Sequence, residues 1–202
     1  MDSEIGEFKN IHRGRRLFIL ASGPSLNEVD LSPLSRRIVM GLNRSVLLFP
    51  ETNYHCTMDQ RLFEQYADEL KKTRFLFTLE GRPWGVPIRL LGSEGFSWDL
   101  EEGVYSGYTI SYVALQIAVY MGFNEIFYFG LDLSHDKGGN THFFGKDFHS
   151  RNHVESEFPK MRRMLEYGAE QLKGKDVRVF NCSPTSDLDC FEKVSYEYAL
   201  SL

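Results

Sequence analysis

The sequence predicts an α/β protein, a three-layer sandwich built on a mostly parallel sheet. Apolar runs of strand length recur along the chain, and several are continuous rather than alternating, as in strands covered on both faces. Segments with helical spacing lie between these runs, and strands that alternate with helices form parallel sheets. The chain of 202 residues, 42% of them hydrophobic, is long enough for one full core. We therefore expect a single domain over residues 1–202.

The elements can be assigned in chain order from these patterns. Six apolar runs are predicted as strands, at 17–21, 38–42, 54–58, 75–79, 126–130 and 177–180. Helical spacing predicts helices at 61–72, 109–121 and 158–172. The second of these helices is apolar nearly all round, which indicates burial. In such sheets ligands bind beyond the carboxyl ends of the strands, so the residues that follow each strand are the candidates for a site.

Two stretches do not fit the alternation of strands and helices. Residues 80–107 are rich in Gly, Pro and Trp, and residues 135–153 contain three glycines and four histidines. Loops of this length inside a domain are usually functional or disordered, and the aromatic residues of the first stretch argue against disorder. We expect both loops to border the site.

The first strand runs into a turn of small residues, Ser22, Gly23, Pro24 and Ser25, before a predicted helix. Backbone N–H groups in such a strand–loop–helix unit can face an anion, and small side chains let a ligand approach the backbone. The turn is neither a P-loop nor the dinucleotide fingerprint, because the required Lys and glycines are missing. It is predicted to bind phosphate, and the alternative is a tight turn with no ligand.

Polar residues also follow other strands. Asn43 can donate to a phosphate or read a base or ribose edge, and Asp59 and Asp132 can bind ribose hydroxyls or, through water, Mg²⁺. The alternative for each is a helix cap. At the start of the buried helix, Thr109 and Ser111 offer hydroxyls and free N–H groups to an anion, with simple N-capping as the alternative.

Four histidines fall in the second loop, at positions 135, 142, 149 and 153. A histidine titrates near neutrality and can act as a general base. A zinc site is the second interpretation, from the i, i+4 spacing of His149 and His153, but no cysteine joins them and the sequence predicts no metal site. Solvated loop histidines are the third interpretation.

Composition excludes several classes of partner. The formal net charge of −5 argues against nucleic acid and anionic membranes, and no apolar run approaches the length of a membrane span. The acidic N-terminus lacks a signal-peptide core, and the three cysteines form no CxxC pair. These features predict a cytoplasmic protein with reduced thiols.

Two segments carry a resemblance to known proteins. Residues 8–26, which end in Ala-Ser-Gly-Pro-Ser-Leu, resemble the opening of a bacterial and archaeal Rossmann-like family. That family contains proteins of polysaccharide and flagellin glycosylation loci and the archaeal 6-hydroxymethylpterin diphosphokinases. Residues 112–132, which end in Phe-Gly-Leu-Asp, are the second match. The bacterial sialyltransferases of glycosyltransferase family 42 share both landmarks more distantly.

The sialyltransferase resemblance implies roles for individual residues. Ser22, Gly23, Ser25 and Asn43 would bind the CMP of the sugar donor, with Thr109 or Ser111 as a further contact. The catalytic histidine would be His149 or His153, and His135 is a further candidate in the same loop. The resemblance also implies two tyrosines after Asp132 that support the leaving phosphate, and this chain has none there; the corresponding places hold Ser134 or His135 and, further on, His142.

Three functions follow as hypotheses. The first is a glycosyltransferase that uses a CMP-activated acidic sugar of the sialic-acid type and a glycan acceptor, with no metal strictly needed. The second is a 6-hydroxymethylpterin diphosphokinase that uses ATP and Mg²⁺, with Asp59 and Asp132 facing the metal. The third is a non-catalytic module that binds a nucleotide or sugar. A homo-oligomer is left open by the sequence.

Overall fold

A computed structural model describes residues 4–134, 138–145 and 151–202, and of residues 151–155 only the backbone. Its main feature is an eight-stranded sheet in which every pairing between described strands is parallel. The order of the strands is β10-β9-β8-β1-β2-β3-β4-β5, and β6 and β7 form a separate parallel pair. This confirms the predicted fold class.

The strands are short, and the six that the sequence predicts begin within one residue of the predicted positions. Their bounds are β1 Arg16–Leu20, β2 Val39–Leu42, β3 Tyr54–Cys56, β4 Phe75–Leu79, β5 Val86–Ile88, β6 Leu90–Gly92, β7 Val104–Tyr105, β8 Glu125–Phe129, β9 Arg178–Asn181 and β10 Glu192–Lys193. The α-helices are α1 Gln60–Gln65, α2 Ala67–Leu70, α3 Ile110–Tyr120, α4 Arg151–Leu172 and α5 Tyr196–Ser201. Four 3₁₀ helices lie at Ile5–Phe8, Pro24–Glu28, Ser32–Arg36 and Asn43–Leu47.

Both faces of the sheet are covered, which explains why the strand sequences are continuously apolar. On β1, Leu17 and Ile19 pack in the core that also contains α3 and residues of α4. Phe18 and Leu20 pack in a second core on the other face, together with Phe127 of β8. Neighbouring residues of one strand point to opposite faces, so a central strand such as β1 carries apolar side chains at successive positions from Leu17 to Leu20.

Helix α3 is the buried helix that the sequence predicts. Nine of its 11 residues are buried, because it lies in the main core with α4 packed against it. The α3–α4 contact is close at Gly168, where a Cβ atom would lie 2.9 Å from the Tyr112 ring. This packing fixes the N-terminus of α3 relative to the sheet, which matters for the site.

Several predicted elements need correction. The helix expected at 61–72 is divided at Tyr66, whose backbone (φ −113°, ψ 29°) is not helical. The segment after the first turn is a short 3₁₀ helix, and α4 begins before residue 158 with Pro159 inside it. The stretch 80–107 is not one loop, because it contains β5, β6 and β7.

No helix among the described residues has the length and apolar character of a membrane span.

Candidate functional site

Most of the predicted binding residues meet at the carboxyl ends of β1, β2 and β8. A cavity of about 200 Å³ lies there, bounded on one side by the start of α3. The predicted residues that line it are Ser22, Gly23, Asn43, Thr109, Ser111 and Asp132. An adjoining cavity of about 230 Å³ shares Asn43 and Thr109 and adds Asp59. The rule that ligands bind at this edge of a parallel sheet therefore places the candidate site here.

Size alone would place the site elsewhere. A larger open groove of about 880 Å³ runs between the end of α4 and β9, beside the segment that leads into the edge strand β10. It is lined by charged residues of α4 together with apolar and aromatic side chains, and none of the predicted site residues lies in it. Convergent polar groups identify a binding site better than volume does.

The turn after β1 is held by the protein's own carboxylate. The Ser25 amide donates to Asp132 Oδ2 at 2.9 Å, and the Ser25 hydroxyl donates to Asp132 Oδ1 at 2.7 Å. The Gly23 amide donates to the Gly130 carbonyl at 2.8 Å. Asp132 is 1% exposed. The expectation that these amides are free for an anion is therefore wrong for Gly23 and Ser25.

Gly23 is required by this arrangement. A Cβ atom at residue 23 would lie 2.3 Å from Asp132 Oδ2 and 2.5 Å from the Gly130 carbonyl oxygen, distances that real Cβ contacts do not reach. The space beside Gly23 is thus occupied by Asp132. Within the described residues, the Ser22 amide is the N–H group of this turn that has no hydrogen-bond partner.

Ser25 also links the turn to the C-terminal helix. Its hydroxyl lies 2.8 Å from the Tyr196 hydroxyl, and because it donates to Asp132 it accepts from Tyr196. Burial raises the pKa of Tyr196 to about 12, so the tyrosine stays protonated and can donate. Pro24 and Ser25 lie behind the cavity and do not line it.

Asn43 follows β2 directly and lines both cavities. Its backbone is left-handed, with φ at +48°. Its Oδ1 accepts from the Thr57 hydroxyl at 3.1 Å, and its carbonyl oxygen accepts from His55 Nε2 at 2.9 Å. Both partners are fully buried. Burial lowers the pKa of His55 to about 4, against the smaller opposing effect of the bond to Asn43, so the ring is neutral at pH 7.

The start of α3 lines the cavity. Thr109 is the N-cap, and its hydroxyl accepts from the Ser111 amide at 3.3 Å. Ser111 is buried, and its carbonyl accepts from the Tyr128 hydroxyl at 2.7 Å. The capping alternative is thus what the structure shows for Thr109. No described residue accepts from the Ile110 amide, which lines the cavity at the positive end of the helix.

Asp59 is also a helix cap. Its Oδ1 accepts from the Arg61 amide at 2.7 Å and from the Leu62 amide at 3.4 Å, at the start of α1. Asp59 lines the second cavity and Asp132 the first. Each carboxylate already accepts backbone N–H groups. Among the described residues, no three His, Cys, Asp or Glu side chains are close enough to hold a metal ion.

The histidine that lies in the cavity is His142, which the sequence analysis noted without selecting it as catalytic. Its Nδ1 lies 3.2 Å from the Ser22 hydroxyl, and its ring stacks on Phe144 at 4.8 Å. The Arg44 guanidinium lies over the Phe144 ring, 4.3 Å from its centre. His135 and His149 lie outside the described residues. His153 is in α4, and its side chain is not described.

Tyr108 is a site residue that the sequence analysis missed. It lines both cavities, its backbone is left-handed (φ +61°), and its hydroxyl donates to Glu94 Oε1 at 2.9 Å. Asn43 and Leu133 are also left-handed and line the first cavity. Strained backbone of this kind clusters at functional sites, but a sequence does not reveal φ angles.

Comparisons with known proteins show what this architecture is similar to. No protein-family model and no curated protein matches the chain. The solved structure of the MAf glycosyltransferase from Magnetospirillum magneticum AMB-1 matches with a TM-score of 0.59 at 16% identity, over 96% of this chain and 37% of that longer one. The sialyltransferase CstII from Campylobacter jejuni in complex with CMP matches with a TM-score of 0.54 at 18% identity. That match covers 91% of this chain and 86% of CstII.

The chain therefore spans about a third of the Magnetospirillum protein and nearly the whole length of the sialyltransferase. A further CstII structure, in complex with CMP-3FNeuAc, matches with a TM-score of 0.53. At these identities the matches establish a shared fold, the α/β fold of these glycosyltransferases.

Proposed function

We propose that the protein is a glycosyltransferase that takes its sugar from a CMP-activated acidic sugar. The observation that carries the proposal is a set of N–H groups around one cavity at the carboxyl edge of the sheet, none of which has a hydrogen-bond partner among the described residues. They are the Ser22 amide, the Asn43 side-chain nitrogen and the Ile110 amide at the start of α3. The fold shared with CMP-bound sialyltransferases supports CMP as the nucleotide.

The arrangement suits a leaving group that carries a single phosphate. Fixed N–H donors and the positive end of a helix stabilise a phosphoryl anion, and they act most strongly in a site that excludes water. Arg44, which is 6% exposed, adds positive charge nearby: it follows Asn43 in the chain and packs on Phe144, whose ring stacks on His142 in the cavity. These donors and Arg44 can balance the charge of a single phosphate without a metal ion, so we propose that the reaction needs none.

A histidine would deprotonate the acceptor hydroxyl. Among the described residues His142 has the position for this step, because it lines the cavity and contacts the Ser22 hydroxyl. The earlier candidates His149, His153 and His135 stay predictions. The acceptor is proposed to be a glycan, as the resemblance implies.

The diphosphokinase alternative fits the residues less well. Phosphoryl transfer from ATP requires Mg²⁺ held by carboxylates. Asp59 and Asp132 would have to serve, yet one caps α1 and the other holds the turn at Ser25. They line different cavities and do not form one magnesium site.

A thermal-shift panel with CMP, CDP, ATP with Mg²⁺, and a pterin tests the proposal. A ligand at 100 times its Kd adds about 2.7 kcal/mol to the free energy of unfolding. For a chain of this length that raises Tm by about 5–10 °C. We expect CMP to do so without metal, and Asn43→Gly to reduce the shift. Stabilisation by ATP with Mg²⁺ alone would favour the diphosphokinase, and indifference to every nucleotide would contradict both enzymes.

A further inference from the structure

Two fully buried residues, one in β3 and one just after it, form hydrogen bonds with Asn43. His55 lies in β3 and Thr57 follows it, and both are 0% exposed. The His55 ring donates from Nε2 to the Asn43 carbonyl, since a carbonyl oxygen only accepts. Its Nδ1 has no partner among the described residues. A buried ring with one nitrogen unsatisfied is costly, which indicates that the bond to Asn43 is the reason for a histidine here.

The neighbouring strand makes room for this ring. A Cβ atom at Gly41 of β2 would lie 2.4 Å from His55 Nδ1. Any larger residue at position 41 would displace the imidazole and with it the bond to Asn43. The absence of a side chain at Gly41 therefore leaves the space in which the His55 ring reaches the carbonyl oxygen of the left-handed residue Asn43.

Thr57 fixes the side chain of Asn43 in the same way that His55 fixes its backbone. The Thr57 hydroxyl donates to Asn43 Oδ1, and no other partner of this hydroxyl is found in the described part of the chain. With Oδ1 turned toward the buried strand, Nδ2 is the end of the amide left toward the two cavities that Asn43 lines. An amide held in this sense offers a ligand two N–H donors and no acceptor.

We propose that His55 and Thr57 are positioning residues which hold the Asn43 amide with Nδ2 toward the cavity. Beside Asn43 the site then selects for an oxygen or nitrogen of the ligand that carries no proton and can accept a hydrogen bond. Phosphoryl oxygens and the carbonyl of a pyrimidine have this chemistry, and a hydroxyl that must donate does not. The inference rests on the proposed function for the identity of the ligand, while the orientation of Asn43 is a property of the free protein.

The binding test uses CMP as the probe and calorimetric titration of the full chain. Thr57→Val removes the hydroxyl and keeps the shape, and a typical hydrogen bond predicts a loss of affinity of about twofold to tenfold. Thr57→Ser should restore binding. Thr52→Val is the matched control, because Thr52 is equally buried and its hydroxyl has no partner among the described residues. This control should bind CMP like the wild type.

Two substitutions at Asn43 test the orientation itself. Asn43→Gly removes the side chain without straining the left-handed backbone, and adding Thr57→Val to it should cost no further affinity. Asn43→Asp replaces the cavity-facing donor by an acceptor and should bind more weakly than Asn43→Gly. Binding of Asn43→Asp at wild-type affinity would overturn the proposed orientation, as would an unchanged affinity in Thr57→Val.

A ligand-free measurement separates this inference from the proposed function. The side-chain amide of Asn43 can be assigned in a ¹⁵N–¹H spectrum by its loss in Asn43→Asp. We expect its resonances to move in Thr57→Val and to stay in place in Thr52→Val. If CMP does not bind the wild type, the proposed function fails while this spectrum still decides the positioning role. Resonances that respond equally to both valine variants would overturn that role.

Discussion

Acidification from about pH 7 to about pH 5 should destabilise this protein through His55. In the folded state burial lowers the pKa of His55 to about 4, whereas the unfolded chain has the ordinary value of 6.5. The unfolded state therefore binds a proton first as the pH falls. The stability that the neutral ring contributes is complete above about pH 6.5 and is lost progressively down to about pH 4.

The size of the effect follows from the two pKa values. Proton linkage with these values gives a loss of about 2 kcal/mol in the free energy of unfolding between pH 7 and pH 5. His12 acts in the same direction, because burial and then the charge of Arg15 lower its pKa. Carboxylates such as Asp99 and Asp189, whose pKa values are lowered by partners, lose their stabilising effect only below about pH 4.

Urea unfolding followed by circular dichroism measures this difference at about pH 7 and about pH 5. His55→Gln keeps an N–H group near the Asn43 carbonyl and does not titrate, so we expect it to lose about 2 kcal/mol less than the wild type on acidification. His12→Gln is the control, because the pKa of His12 is also lowered by burial. Its loss of stability on acidification should differ from that of the wild type by less than the loss in His55→Gln does. An equal loss in wild type and His55→Gln would refute the assignment of a neutral buried ring.

Three further substitutions test the site. Ser25→Ala should lower the free energy of unfolding by about 1–3 kcal/mol in urea titrations, because Asp132 loses a donor and the Tyr196 hydroxyl loses its acceptor. Asp132→Asn keeps the shape and removes a charge beside the cavity, so CMP should bind roughly two- to tenfold more tightly in calorimetry. His142→Gln should lower kcat of an established glycosyl transfer by about 10²–10⁴, measured by product formation, with little change in stability.

Each of these expectations has a contrary result. Unfolding of Ser25→Ala at the wild-type urea concentration would mean that the bond to Asp132 contributes nothing. Weaker CMP binding by Asp132→Asn would show that this carboxylate binds the nucleotide directly, as the sequence analysis predicts. An unchanged kcat in His142→Gln would return the role of general base to His149, His153 or His135.

The central strands could be predicted from sequence because each is covered on both faces. After their first residues, Arg16 and Glu125, β1 and β8 are unbroken apolar runs, and no surface helix has that pattern. The edge strands were missed for the opposite reason. β10 is Glu-Lys, and β5 contains Pro87, a residue tolerated at the edge of a sheet because its missing N–H pairs with nothing there.

The positions of the site residues could be predicted from sequence, but their partners could not. The carboxyl edge of a parallel sheet brought Ser22, Asn43 and Asp132 to one cavity, and the start of the buried helix added Thr109. What each polar atom bonds to depends on contacts between distant segments. Ser25 and Asp132 are 107 residues apart, and a loop amide looks the same in sequence whether it faces a ligand or a carboxylate.

The Asp132 carboxylate at the turn opposes the binding of an anion in the cavity. Asp132 occupies the place that a phosphate would take at Ser25, and its two hydrogen bonds with Ser25 keep it there. A phosphate in the adjoining cavity would therefore approach a buried negative charge, which weakens binding. The remaining donors must more than offset it, and they come from three separate elements: the Ser22 amide, the Asn43 side chain and the first amide of α3. Thr57 holds the Asn43 side chain and the Thr109 cap stands at the start of α3, so these donors are placed in the ligand-free protein. Fixed dipoles stabilise a developing phosphoryl charge most effectively when they are organised before the ligand binds.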